Sequence, residues 1–173
     1  GYIFYTGEYV TKEINKAIFY ITKSANQKHS SALYFLGKLY FYGEHVTQNI
    51  NKAIHYFTLA ANQNEVEAQL HLGYIYYNGI NTEKYIKKGI YYFSLSCKNG
   101  NKRANFILGF LYHEGKYVKR DMKLAIQNYK ESSSFNNEFS KNNLGIIYKH
   151  GNENEGIPKN IGLSIEYFNS EER

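Results

Sequence analysis

Six histidines and one cysteine are the side chains of this sequence best able to ligate a transition metal or to carry covalent chemistry: His29, His45, His55, His71, His113, His150 and Cys97. No two histidines stand in the H-x-x-x-H spacing that puts paired imidazoles on one helix face, and Cys97 has no second thiol to join it at a metal or in a disulfide. The glycine-containing stretches "LGFLYHEG" and "KNGNKR" do not form a phosphate cradle, because no strand pattern precedes them. No catalytic residue, metal site or cofactor is therefore expected. What remains is contact chemistry. The chain carries 19 Tyr and 11 Phe, and its 21 Lys and Arg against 15 Asp and Glu leave a net charge of +6. Aromatic rings with polar tips suit protein contacts, and a basic excess suits phosphates.

The elements that must position these side chains announce themselves by a period. "LGKLYFYG" at 36–43 returns as "LGYIYYNG" at 72–79, "LGFLYHEG" at 108–115 and "LGIIYKHG" at 144–151. Gly37, Gly73, Gly109 and Gly145 are 36 residues apart, with Gly1 continuing the series backward, and Gly7, Gly43, Gly79, Gly115 and Gly151 keep the same step. In phase with them run Ala17, Ala53, Gly89 and Ala125, then Ala25, Ala61, Cys97 and Ser133, then Ala32, Ala68, Ala104 and Ser140. A repeat of this length is the size of a helix-turn-helix unit that stacks on its neighbours.

Within a unit the apolar spacing is helical. Leu33, Leu36, Gly37 and Tyr40 fall at i, i+3, i+4 and i+7, which predicts helix A over about residues 31–42. Gly43 supplies the left-handed residue that ends it. Ala53, Phe57, Ala60 and Ala61 form the stripe of helix B over 51–62. Glycine inside a helix costs about 1 kcal/mol relative to alanine, so its fixed phase calls for a packing reason: helix B approaches closely there, with Ala53 and its equivalents offering small surfaces. Cys97 occupies one of the small-residue positions and is expected to be a buried, inert thiol. Gly89, Ser96, Ser132 and Ser133 depart from the alanine pattern, which predicts looser packing in later units. "NENEGIPKN" carries three extra residues, and Pro158, the one proline, falls in that loop.

The pattern A-x-x-x-L-G-x-x-Y-x-x-G followed by K-A-x-x-Y-F-x-x-A-A, seen as "ALYFLGKLYFYG" and "NKAIHYFTLAA", resembles the Sel-1-like repeat, a relative of the tetratricopeptide repeat. The resemblance covers nearly the whole chain. The step from Gly37 to Ala53 is 16 residues, which implies the longer helix A to helix B loop of the Sel-1-like kind. The fold so implied is all-α, a right-handed α-α superhelix or solenoid of about four to five units, at approximately 1–30, 31–66, 67–102, 103–138 and 139–173.

The function the resemblance implies is that of a non-catalytic adaptor or scaffold, holding a protein or peptide on the concave face lined by helix A. Mapped onto this sequence, that face comprises Ser31, Tyr34, Lys38, Phe41 and Tyr42, then Glu67, Leu70, Tyr74, Tyr77 and Asn78. It continues with Arg103, Phe106, Phe110, His113 and Glu114, and ends with Phe139, Asn142, Ile146, Lys149 and His150. Tyr34, Lys38, Phe41, Tyr74, Tyr77, Arg103, Phe106, Phe110 and Lys149 are the expected partner-binding set, although some of the rings could instead pack between units. His113 and His150 end successive A helices and could face each other. Some members of the family act on β-lactams, but they staple each unit with a disulfide pair that one cysteine cannot supply. A nucleic-acid partner is the other alternative, resting on Lys16, Lys52, Lys88 and Lys123 at the starts of the B helices. Only Lys38, Arg103 and Lys149 map to the helix-A face, so that basic ribbon is expected to be a solvated edge.

No apolar run reaches the about 18 residues of a membrane helix, and the lone cysteine fits a reducing compartment such as the cytoplasm. Both ends cut the repeat pattern, which is expected of a piece of a longer chain or of ends that self-associate.

Overall fold

The computed structural model describes residues 13–134 and 137–169. Among them are nine α-helices: α1 (Ile14–Asn26), α2 (Ser30–Tyr42), α3 (Ile50–Ala61), α4 (Val66–Asn78), α5 (Ile86–Lys98), α6 (Lys102–Glu114), α7 (Met122–Ser133), α8 (Glu138–His150) and α9 (Ile161–Asn169). The chain divides into two compact units, residues 1–99 with α1–α5 and residues 100–173 with α6–α9. Gly1 and Gly7 lie outside the described residues. In the first unit each helix packs on its neighbour in sequence, and the two A helices α2 and α4 also touch. In the second, α6, α7, α8 and α9 pack in succession. No described helix is long and apolar enough to cross a membrane.

The anticipated stripes are the core. Leu33, Leu36 and Leu39 of α2 are buried against Ala53, Phe57, Ala60 and Ala61 of α3. Gly43, Gly79 and Gly115 end α2, α4 and α6 in the left-handed region, at φ of 73, 72 and 68°. A second device then fixes each A-to-B loop. The amide of the residue before helix B donates to the carbonyl of the helix-A tyrosine: Asn49 to Tyr40 at 2.8 Å, Tyr85 to Tyr76 at 3.0 Å and Asp121 to Tyr112 at 3.1 Å. In the longer fourth loop the three extra residues are absorbed by a 3-10 turn at Glu153–Glu155 and an Asn152–Ile157 bridge. The anchor survives there as Asn160 to Tyr148 at 2.8 Å, and Pro158 sits exposed in the bulged part.

The mid-helix glycines are explained, with one correction. The group filling the notch at Gly37 is the Phe57 ring rather than Ala53: a Cβ built on Gly37 would lie 2.5 Å from Phe57 Cδ1. Phe93, Tyr129 and Phe168 fill the notches of Gly73, Gly109 and Gly145 in the same way. A flat ring laid on bare helix backbone recovers more dispersion contact than an alanine methyl can. The small position of helix B is close-packed too. At Gly89 a Cβ would meet Tyr77 N at 2.7 Å and the Gly73 carbonyl at 2.9 Å, so glycine here brings the helices nearer rather than loosening them. Ser96 likewise is accommodated, its hydroxyl donating to the Val66 carbonyl at 2.8 Å. The hydroxyls of Ser132 and Ser140, by contrast, are buried without a hydrogen-bond partner among the described residues.

Candidate functional site

In the first unit the helix-A face is built outward from the ring in each glycine notch. Phe57 is fully buried, and on it rest Tyr34 and Phe41 of α2, with ring centroids at 5.9 and 6.2 Å, and His71 of α4 at 4.9 Å. His71 Nδ1 donates to the Glu67 carbonyl at 2.8 Å, which sets its ring orientation. Phe93 carries Tyr74 edge-on at 5.3 Å and Tyr77 at 5.9 Å. Lys38 Nζ stands 5.9 Å from the centroids of both Tyr34 and Phe35. Tyr34, Phe41 and Tyr77 are thus half-buried, both packing and surface, whereas Tyr74 keeps 41% of its area exposed.

Of the residues mapped to the helix-A face in this unit, one is closed off. Leu70 is buried, only 1% exposed, and leaves the face. Its equivalents Tyr34 and Phe106 lean on helix-B rings and reach past them, which a leucine side chain is too short to do. His71, which the sequence left among unplaced histidines, joins the face. A search for aromatic or imidazole side chains one position after Leu70 would have flagged it.

In the second unit Tyr129 of α7 fills the Gly109 notch, with Phe106 at 6.1 Å and His113 at 6.2 Å. Phe139 of α8 lies 6.0 Å from Phe106. Phe110, Phe139 and Ile146 are exposed, and so are Arg103 and Lys149. His113 bonds with Tyr129 rather than facing His150, which is exposed: the Tyr129 hydroxyl is 3.4 Å from His113 Nδ1. Burial, helped by the Arg120 guanidinium, holds the His113 imidazole below the usual histidine range. Burial likewise pushes the Tyr129 phenol well above the usual tyrosine range.

The lysine ribbon Lys16, Lys52, Lys88 and Lys123 is exposed. Helix-A and helix-B tyrosines stack in near-parallel pairs, Tyr40 on Tyr56 at 5.8 Å, Tyr76 on Tyr92 at 5.8 Å and Tyr148 on Tyr167 at 5.9 Å. Lys52 lies over Tyr40 at 4.9 Å, Lys88 over Tyr76 at 3.9 Å and Lys130 over Tyr148 at 5.6 Å. Lys52 and Lys88 of the ribbon, and Lys130 outside it, thus lie over ring faces, where the quadrupole attracts them, while remaining exposed. Lys16 pairs with Glu13 at 2.7 Å. Cys97 is half-buried rather than buried. Among the described residues no group of three or more His, Cys, Asp or Glu side chains could hold a metal ion.

The Sel1 repeat profile matches residues 1–29, 30–65, 66–101, 102–134 and 139–170. The chain belongs to the Sel1 repeat family. A protective antigen of uropathogenic Escherichia coli displaying this repeat fold superposes with a TM-score of 0.89 over 97% of the chain, at 28% identity. A Sel1 repeat protein from Oxalobacter formigenes superposes at 0.87 over 98%, with 26% identity and 68% of its own length covered. Cysteine rich protein B of Helicobacter pylori gives 0.57 over 78%, at 25% identity, with 96% of its length covered. The chain spans only 35% of the length of the E. coli antigen. No curated protein matches it. The fold class is accordingly the all-α superhelical solenoid of Sel1 repeats. Sel1 repeat proteins in general are non-catalytic scaffolds that bind protein partners.

Proposed function

We propose that this chain is an adaptor whose helix-A face holds a protein or peptide partner. The observation carrying the proposal is the exposure of large apolar side chains on the A helices of each unit: Tyr74 at 41% in the first, Phe110 at 47% and Phe139 at 71% in the second. Two of them stand against a ring that braces them, Tyr74 on the buried Phe93 and Phe139 on the half-buried Phe106. A contact anchor so braced loses little conformational freedom on binding. Lys38, Arg103 and Lys149 supply rim charges, which steer a partner more than they hold it. Lys38, Arg103 and Lys149 are the only basic residues that map to the helix-A positions, which favours a protein partner over a phosphate backbone.

Selection from a displayed library of random linear peptides tests the proposal. The chain is expected to enrich a sequence family, and replacing Phe110 and Phe139 of the second unit by alanine is expected to abolish binding of the peptides enriched on that unit while leaving the melting temperature close to that of the parent. Unchanged binding would refute the face. A collapse of the melting temperature would instead make these two residues part of the core.

A further inference from the structure

The outward stripes of the three B helices in the first unit repeat one another. Lys16, Phe19 and Tyr20 of α1 recur 36 residues on as Lys52, His55 and Tyr56 of α3, and again as Lys88, Tyr91 and Tyr92 of α5. The lysine stands one helical turn before the two rings, at i, i+3 and i+4, so the three share one side of each helix. Each B helix packs against the A helices on either side of it in sequence, which leaves these stripes to follow one another along the unit. The leading ring is exposed at every step, Phe19 at 61%, Tyr91 at 60% and His55 between them, and so are the three lysines. Each leading ring meets the tyrosine after it in the same edge-on geometry. The centroids are 5.3 Å apart at 75° for Phe19 and Tyr20, and 5.4 Å apart at 68° both for His55 and Tyr56 and for Tyr91 and Tyr92. The ring is thus braced in one attitude at three consecutive rungs.

Core packing does not require this pattern. The buried sides of these helices are carried by other residues, Ala17 and Ile21, Ala53 and Phe57, Gly89 and Phe93. In the second unit the same positions read Leu124, Gln127 and Asn128 and then, past the three inserted residues, Leu163, Glu166 and Tyr167, so the ladder is confined to the first unit. Charge follows it. Helices α1, α3 and α5 carry six lysines and no aspartate or glutamate, whereas α7 and α9 contain Glu131 and Glu166. Two carboxylates flank the ladder from outside the helices: Glu13 pairs with Lys16 at 2.7 Å, and Glu83 accepts from the Tyr85 hydroxyl at 2.6 Å. At the third rung Lys84, Lys87 and Lys88, with Tyr85 and Ile86, line an open recess of about 390 Å³.

We infer that this helix-B face of the first unit binds single-stranded nucleic acid, with Phe19, His55 and Tyr91 stacking on bases and Lys16, Lys52 and Lys88 meeting phosphates. The surface is separate from the helix-A face, and neither depends on the other. A base offers a flat π face to each of the three ring types, and a strand carries one phosphate per base, which matches one lysine per ring. Lys52 and Lys88 lie over tyrosine rings and remain exposed, which limits the freedom their ammonium groups lose on meeting a phosphate. A duplex keeps its bases stacked on each other and would leave the rings unused. An anionic membrane would take the lysines, but it would press the His55 imidazole into hydrocarbon at the middle rung.

Fluorescence anisotropy of a labelled oligouridine of about ten nucleotides, titrated with the chain at low salt, tests the inference. Binding is expected, and it should weaken with salt at a log–log slope of about −2, the value for about three phosphate contacts. A labelled abasic strand of the same length keeps the phosphates and lacks the bases, and it is expected to bind the unaltered protein at least about tenfold more weakly. The triple variant Phe19→Leu, His55→Leu and Tyr91→Leu is expected to lose a similar factor for oligouridine with the salt slope unchanged. Lys16→Gln, Lys52→Gln and Lys88→Gln together are expected to flatten the slope. Absence of salt-sensitive binding would overturn the inference. So would an abasic strand bound as tightly as oligouridine, which leaves only diffuse charge, or binding to phosphatidylserine vesicles that the ring variant loses, which makes the face a membrane surface. The abasic strand decides the matter on the unaltered protein even where a variant does not fold.

Discussion

Replacing Gly37 by alanine pits two effects of known size against each other. In a helix interior the change by itself gains about 1 kcal/mol. Here the new Cβ would stand 2.5 Å from Phe57 Cδ1 and 2.6 Å from Cε1, where carbon atoms rest at about 3.5–4.0 Å. The ring must retreat by roughly 1 Å, yet it is fully buried and held by Tyr34, Phe41 and His71. Overpacking of that kind costs about 1–3 kcal/mol. We expect Gly37→Ala to lower stability by about 1–2 kcal/mol net. In a Phe57→Leu background the obstacle is gone, and the same substitution should raise stability by up to about 1 kcal/mol. Urea denaturation of the four proteins followed by circular dichroism, with the slopes compared, gives the double-mutant cycle. A stabilising Gly37→Ala in both backgrounds would falsify the notch explanation, because the ring would then have yielded at no cost.

Two further stability effects follow. Ser132→Ala and Ser140→Ala each remove a buried hydroxyl that has no partner among the described residues, and each is expected to raise stability by about 1 kcal/mol; a loss in thermal melts would show that the hydroxyls are satisfied. His113 is held neutral by burial and by Arg120, so below its usual range the unfolded chain takes up the proton more readily than the folded one. Stability should therefore fall as pH drops from about 7.5 toward about 5.5, and His113→Gln, which keeps an acceptor for Tyr129 but cannot titrate, should fall less over the same interval. An equal fall in both proteins would place the proton uptake elsewhere.

Much of the fold was legible because its signals are local. Gly43 and Gly79 end helices through backbone conformations that follow from the missing Cβ, and a tyrosine three residues before such glycines recurs at Tyr40, Tyr76, Tyr112 and Tyr148. The contact of His113 with Tyr129 was legible in principle. Aligning the units and asking where polar replacements coincide would have exposed it, but the two residues belong to different helices. The burial of Leu70 and the seating of Lys52 and Lys88 on tyrosine rings left no such trace, since side-chain length and rotamer decide them.

By itself the sequence determined the period, the helix-turn-helix unit, the helix ends and the membership of a repeat family, all of which depend on residue spacing along one chain. Only the tertiary structure decided that Phe57 rather than Ala53 occupies the Gly37 notch and that the Tyr129 hydroxyl in the third notch meets His113. It also decided which rings of the helix-A face stay exposed. Those outcomes turn on distances of a few tenths of an ångström between helices, and the register of one packed surface against another sets such distances.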